Sequence, residues 1–148
     1  MIDLTLLEPL DIKASLIALA CALAIGFERQ WSGKPAGIRT SILICLSAYT
    51  FVTIGQYLQP EAGSVRIVGQ IVTGVGFLGG GVILSKEGLV KGVTSAAVIW
   101  ILAAIGSLSG LGYFAGAIWL TFLALFVLIG ITFLEKLLIK LKRGVHKE

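Results

Sequence analysis

Arg66, Gln70 and Thr73 follow one another at four- and three-residue spacing in the run RIVGQIVTGVGFLGGGVIL, Arg66 to Leu84. On a helix that spacing stacks a guanidinium, a carboxamide and a hydroxyl on one face, a set suited to an anion, a lipid headgroup or a polar group of a partner. The other reading of Arg66 is an interfacial arginine that snorkels and bonds a loop carbonyl. Glu28 and Arg39 stand at either end of the first polar loop and are expected to pair across it, fixing a hairpin. With Arg29 and Lys34 they offer the sharper alternative of a docking surface. Thr94, followed by Ser95, Ala96 and Ala97, reads first as a helix N-cap and close-packing site and only second as a ligand contact.

The residue types for catalysis are missing. There is no Ser-His-Asp set, zinc spacing or Walker sequence, and the one histidine, His146, lies in the C-terminal tail. No catalytic residue, metal ligand or cofactor is therefore assigned, and an enzyme is not expected. Gly74-Val-Gly76-Phe-Leu-Gly79 matches the dinucleotide pattern GxGxxG, but that mechanism needs a strand before the glycines and a helix N-terminus at the phosphate. Here they lie within one apolar run. All eight acids fall in loops, tails or at span ends. A divalent-cation carrier needs oxygens to replace hydration water, and a proton-coupled carrier needs a titratable group within the membrane. Cys21 and Cys45 sit in apolar runs without metal or disulfide spacing and read as small packing residues.

The elements that must position these residues are membrane helices. With 57% hydrophobic residues among 148 and a mean hydropathy of +0.98, the chain has more apolar surface than one soluble core of this size can hide. The pattern predicts an all-α, polytopic transmembrane bundle of about five helices over residues 1–135, with spans near 12–27, 38–57, 66–84, 93–108 and 113–134. A basic amphipathic tail, 136–148, suits an anionic leaflet. Ten of the twelve Lys and Arg residues fall in or beside the 28–37 loop, in the 85–92 loop or in the tail. Those regions are expected to be cytoplasmic and the N-terminus outside. The formal charge of +4 thus reads as membrane orientation, with no nucleic-acid partner expected.

The third span is expected to lie at the centre. Six glycines, a glutamine and a threonine are costly in an isolated helix, so close neighbours should repay them. Gly69, Gly74, Gly76, Phe77, Gly79, Gly80 and Gly81 are the predicted packing positions, Gly76 with Gly80 forming a GxxxG pair. Ala14, Ala18, Ala22 and Gly26 make a small-residue stripe on the first span, suited to pack against them. The fifth span, rich in Leu, Ile and Phe, is expected at the lipid-facing edge. Gly26-Phe27 and Gly76-Phe77, each followed by a basic loop, hint at two parallel repeats, although a few shared letters also arise by chance.

At these residues the chain resembles the MgtC/SapB family of bacterial inner-membrane proteins. The resemblance rests on GFERQ at Gly26 to Gln30, AGIRT at Ala36 to Thr40, RIVGQIVTGVGFLGGGVI at Arg66 to Ile83, and KGVTSAAVIW at Lys91 to Trp100. Ile105-Gly106 and Gly110 to Tyr113 fit as well. It implies a membrane domain of about five helices with a cytoplasmic C-terminus. It also implies a role in survival at low magnesium; one relative is described as restraining the proton-driven ATP synthase. By the same similarity Glu28, Arg39, Arg66, Gln70, Gly74, Phe77, Gly79 and Thr94 are the functional positions. Two departures stand out. Relatives often carry an aspartate where this chain has Gly63, and many continue into a soluble cytoplasmic domain where this chain stops at Glu148.

The expected function is regulatory and non-enzymatic. It would act through contacts with another membrane complex, with membrane lipids and a second copy, a homodimer, as further partners. The other expectation is a small oligomeric transporter or channel entered near Arg66 and Gln70.

Overall fold

The computed structural model describes residues 8–86 and 89–134, so the expected basic tail lies outside the described residues. Five helices follow in order: α1 (Ile12–Trp31), α2 (Ile38–Leu58), α3 (Gly63–Gly81), α4 (Val93–Gly110) and α5 (Phe114–Leu125). A π-helical stretch, Phe126–Ile131, continues α5 without a break. The all-α membrane bundle read from the sequence is the fold, with each helix beginning and ending within a few residues of its expected span. Among the described residues three helices are long and apolar enough to cross a membrane by length and composition: α2, α4 and the α5 rod through Leu134.

Local chemistry sets the helix starts. Asp11 caps α1, its carboxylate accepting from the Ala14 N–H at 2.7 Å, as expected of an acid at that position. Tyr49 of α2 ties down the same turn, its hydroxyl donating to the Asp11 carbonyl at 3.0 Å and accepting from the Asp11 N–H at 2.8 Å. α4 departs from expectation. Its N-cap is Gly92, whose φ of 91° suits glycine, and Thr94 is an exposed residue inside the first turn. The connection before it, read as a plain polar loop, contains a short antiparallel ribbon of β1 (Leu84–Lys86) and β2 (Leu89–Lys91), with Ser85 opposite Val90.

The centre of the bundle is α4, not α3. It packs against all four other helices, and Ile99, Leu102 and Ile105 are among the most deeply buried side chains of the described residues. Its most extensive contact is with α2, which runs parallel to it. A Cβ on Gly106 would meet the carbonyl oxygen of Cys45, and one on Gly110 would lie 2.9 Å from that of Tyr49. In lipid, apolar burial alone gains little, so such backbone approach through small residues is what holds helices together. The α1 stripe is likewise buried, but its partner is α2: a Cβ on Gly26 would come within 2.8 Å of the Ile38 Cα, and the Cys45 thiol reaches the Ala18 carbonyl at 3.5 Å.

The Leu- and Phe-rich α5 lies along α1 in the same direction, with Lys13 Nζ 5.6 Å from the Phe114 ring centroid at one end. It turns Trp119, Phe122 and Phe126 outward, as its composition predicts. The suggested repeat is unequal in packing: Gly26 is clamped by α2, whereas only the Trp100 ring, 3.9 Å away, approaches a Cβ on Gly76.

Candidate functional site

The face predicted to be gripped at the bundle centre is the face the chain leaves open. Along α3 only Gly63, Val75 and Gly79 are buried. Arg66, Gly69, Gln70, Thr73, Gly76, Phe77 and Gly80 are all exposed, Phe77 to 85%. A Cβ on Gly69, Gly74, Gly80 or Gly81 would have nothing within 4 Å. α3 touches the bundle through its opposite side, against α2 and α4. The physical reason is that apolar Ile67, Ile71 and Val75, at the same helical spacing, supply the bulk that fills the seam, so the glycines fall to the outside.

Two glycines of α3 do meet neighbours inside the chain. Gly63 abuts the carbonyl of Gly55, so any side chain there must push the two helices apart. Gly79 sits at ordinary contact distance from Ala96, 3.6 Å for an added Cβ.

On the open face Thr73 donates its hydroxyl to the Gly69 carbonyl at 3.2 Å, which leaves the helix satisfied and the oxygen facing outward. The side chains of Arg66 and Gln70 have no hydrogen-bond or ion-pair partner among the described residues. Gln70 and Gly74 also border a groove of about 460 Å³ between α2 and α3, otherwise walled by apolar side chains and Ser47. A second groove, about 320 Å³, runs between α3 and α4 beside Trp100.

Glu28, Arg39 and Thr94 lie at the other end of the bundle from Arg66, where α1 ends and α2 and α4 begin. The expected Glu28–Arg39 pair does not form. Glu28 takes its own neighbour instead: Arg29 donates from Nε and, at 2.8 Å, from Nη2, while Ser32 donates to the same carboxylate at 2.9 Å. Arg39 is exposed. The reason is helical phase. Arg29 continues the buried series Ala18, Ala22, Ile25, so most of its guanidinium is withdrawn from water and turns onto the adjacent acid. That series was the available signal for Arg29, and its four-residue step carries past the expected end of the span.

Burial pushes the Glu28 carboxyl up, but hydrogen bonds from Arg29 and Ser32 and the charges of Arg29 and Lys34 outweigh it, holding the group below its ordinary 4.5. A carboxylate depressed in the fold stabilises it above the unfolded value and loses that contribution as pH falls through the folded one. The expected result is a drop in unfolding temperature below about pH 4.5 that is smaller in Glu28→Gln. Parallel melting curves for the two proteins at lower pH would refute it.

A helical membrane bundle with one uncovered glycine and polar face is thus the class of protein the geometry defines. The model of the MgtC family matches residues 16–137, and the chain belongs to that family. Among its relatives, protein MgtC of Brucella abortus is 39% identical over 112 residues, covering 74% of this chain and 47% of the relative. YhiD of Escherichia coli K12, named as a candidate magnesium transporter, is 41% identical over 125 residues, covering 79% and 58%. An uncharacterized Synechocystis protein is 45% identical over 103 residues, covering 69% and 44%. The chain spans about half the length of the curated relatives it matches. No solved structure matches it.

Proposed function

We propose that this membrane protein is a non-enzymatic regulator in magnesium and acid stress, acting in the bacterial inner membrane through contacts made by α3. The observation that carries this reading is the open face of Arg66, Gly69, Gln70, Thr73, Gly76, Phe77 and Gly80. Glycine lets another backbone approach, and a carboxamide in a hydrocarbon setting gains most when a partner supplies both a donor and an acceptor. A second copy meets that need, because two Gln70 side chains can satisfy each other across a twofold axis. Another membrane complex, such as the proton-driven ATP synthase, is the further partner. The basic loops and tail face the cytoplasm in this reading, by their excess of Lys and Arg.

A photo-crosslinking side chain at Phe77, in cells at low magnesium, is expected to give protein adducts, while one at Trp119 on the apolar outer face of α5 gives lipid adducts only. Lipid adducts alone at Phe77 would overturn the reading. The groove beside Gln70 and Ser47 favours a second reading, a small transporter, in which solute flux into proteoliposomes is lost in Arg66→Ala.

A further inference from the structure

We propose that the chamber between the ends of α1 and α5 binds the phosphodiester headgroup of an anionic glycerophospholipid, with one acyl chain running down the seam between the two helices. The chamber holds about 720 Å³ and is divided along the helix axes. Towards the middle of the bundle its wall is Phe27, Leu128 and Ile129; towards the end it carries the polar groups of Arg29, Ser32, Lys34 and Thr132 beside the rings of Trp31 and Phe133. Because α1 and α5 run in the same direction, the apolar half of each contributes at one depth and the polar half at another. That is the amphipathic division of a lipid, not of a soluble anion.

Arg29 is the built part of the site. Its side chain is only 4% exposed, and Glu28 occupies Nε and Nη2. Nη1 has no hydrogen-bond partner among the described residues, and no buried side-chain nitrogen or oxygen among them is left without one. Nη1 therefore opens onto accessible space, which at this position is the chamber. Guanidinium donors suit phosphate oxygens, and the hydroxyls of Ser32 and Thr132 add donors at the same level.

Charge selects the headgroup. Glu28 neutralises Arg29, so Lys34 supplies one uncompensated positive charge to the lining, matching the single negative charge of a phosphodiester such as phosphatidylglycerol. The rim fixes the depth: Phe27 and Trp31 stack with ring centroids 6.0 Å apart, and Trp31 is 83% exposed. Exposed tryptophan on a membrane helix marks the headgroup level. Basic pockets between helices at that level bind anionic lipid heads.

The test is native mass spectrometry and thermal unfolding of the full chain in mild detergent, titrated separately with phosphatidylglycerol, phosphatidylcholine and inorganic phosphate. Phosphatidylglycerol is expected to give a one-to-one adduct and a raised unfolding temperature, phosphatidylcholine a weaker effect, and phosphate none. Lys34→Gln should weaken phosphatidylglycerol binding about fivefold, the effect of one surface cation. Ile129→Trp, which fills the apolar half from an exposed position, should abolish the adduct while leaving the lipid-free unfolding temperature unchanged. Equal retention of both lipids, or adducts that survive both substitutions, would overturn the proposal. An equal shift with inorganic phosphate would assign the chamber to a free anion and overturn the lipid.

Discussion

Gly106→Val is expected to prevent the bundle from assembling. The position lies where α4 packs on α2, and even a methyl there would run into the Cys45 carbonyl, with the Ala48 Cβ of the next turn 2.9 Å away. Neither obstacle is the end of a flexible side chain. Relief requires α2 and α4 to separate, and those helices make the principal contact of the fold. Overpacking of a core costs typically about 1–3 kcal/mol, and a clash with backbone belongs at or beyond the upper figure. In lipid the loss is compounded, since close approach is itself the main attraction. The measurement is unfolding in detergent, with Gly116→Val as the control: its nearest neighbours, the Leu108 methyls, lie 3.8 Å from an added Cβ. Comparable stability of the two variants would refute the expectation.

The opposite outcome is expected on α3. Gly69→Leu and Gly80→Leu place side chains where nothing lies within 4 Å, and each replaces a poor helix former by a good one, worth up to about 1 kcal/mol of helix stability. The isolated chain should therefore fold as well as before or better. On the regulatory reading proposed above, growth at low magnesium and the crosslinks from Phe77 should be lost, because leucine holds an approaching backbone away from the face. A variant that folds normally and complements fully would show that the face carries no contact. Together the α4 and α3 substitutions separate glycines that hold this chain together from glycines that have no neighbour within it.

That separation is what the sequence could not provide. Glycine content and spacing predict close approach along α3, since Gly76 and Gly80 share a face with Gln70 whatever their surroundings. They carry no information on whether the approaching backbone belongs to the same chain. The deciding pattern was the complementary one, Ile67, Ile71 and Val75, whose bulk claims the inner seam. For α4 the reverse holds: it is apolar on its exposed stripe of Val93, Ala97, Trp100 and Ala104 as well as on its buried side, so its composition does not mark the clamp at Gly106 and Gly110. The Asp11 cap was legible because capping needs only local chemistry. The Glu28–Arg39 pairing failed for a nonlocal reason, the burial of Arg29, which makes its adjacent acid indispensable.

The ribbon of β1 and β2 is also nonlocal in origin, since strands of three residues carry too little alternation to declare themselves. It closes the far end of α3, where a Cβ on Gly92 would collide with the Val82 carbonyl. At the near end Gly63 is locked against Gly55. Between these two anchorages open grooves flank α3 on both sides. A rod clamped at its tips and packed at mid-length along one side only, through Ile71 and Val75, resists axial travel but yields to lateral load. Force applied near Thr73 would bow the helix towards one groove or the other, and the displacement would be felt at the hairpin without any sliding of the spans.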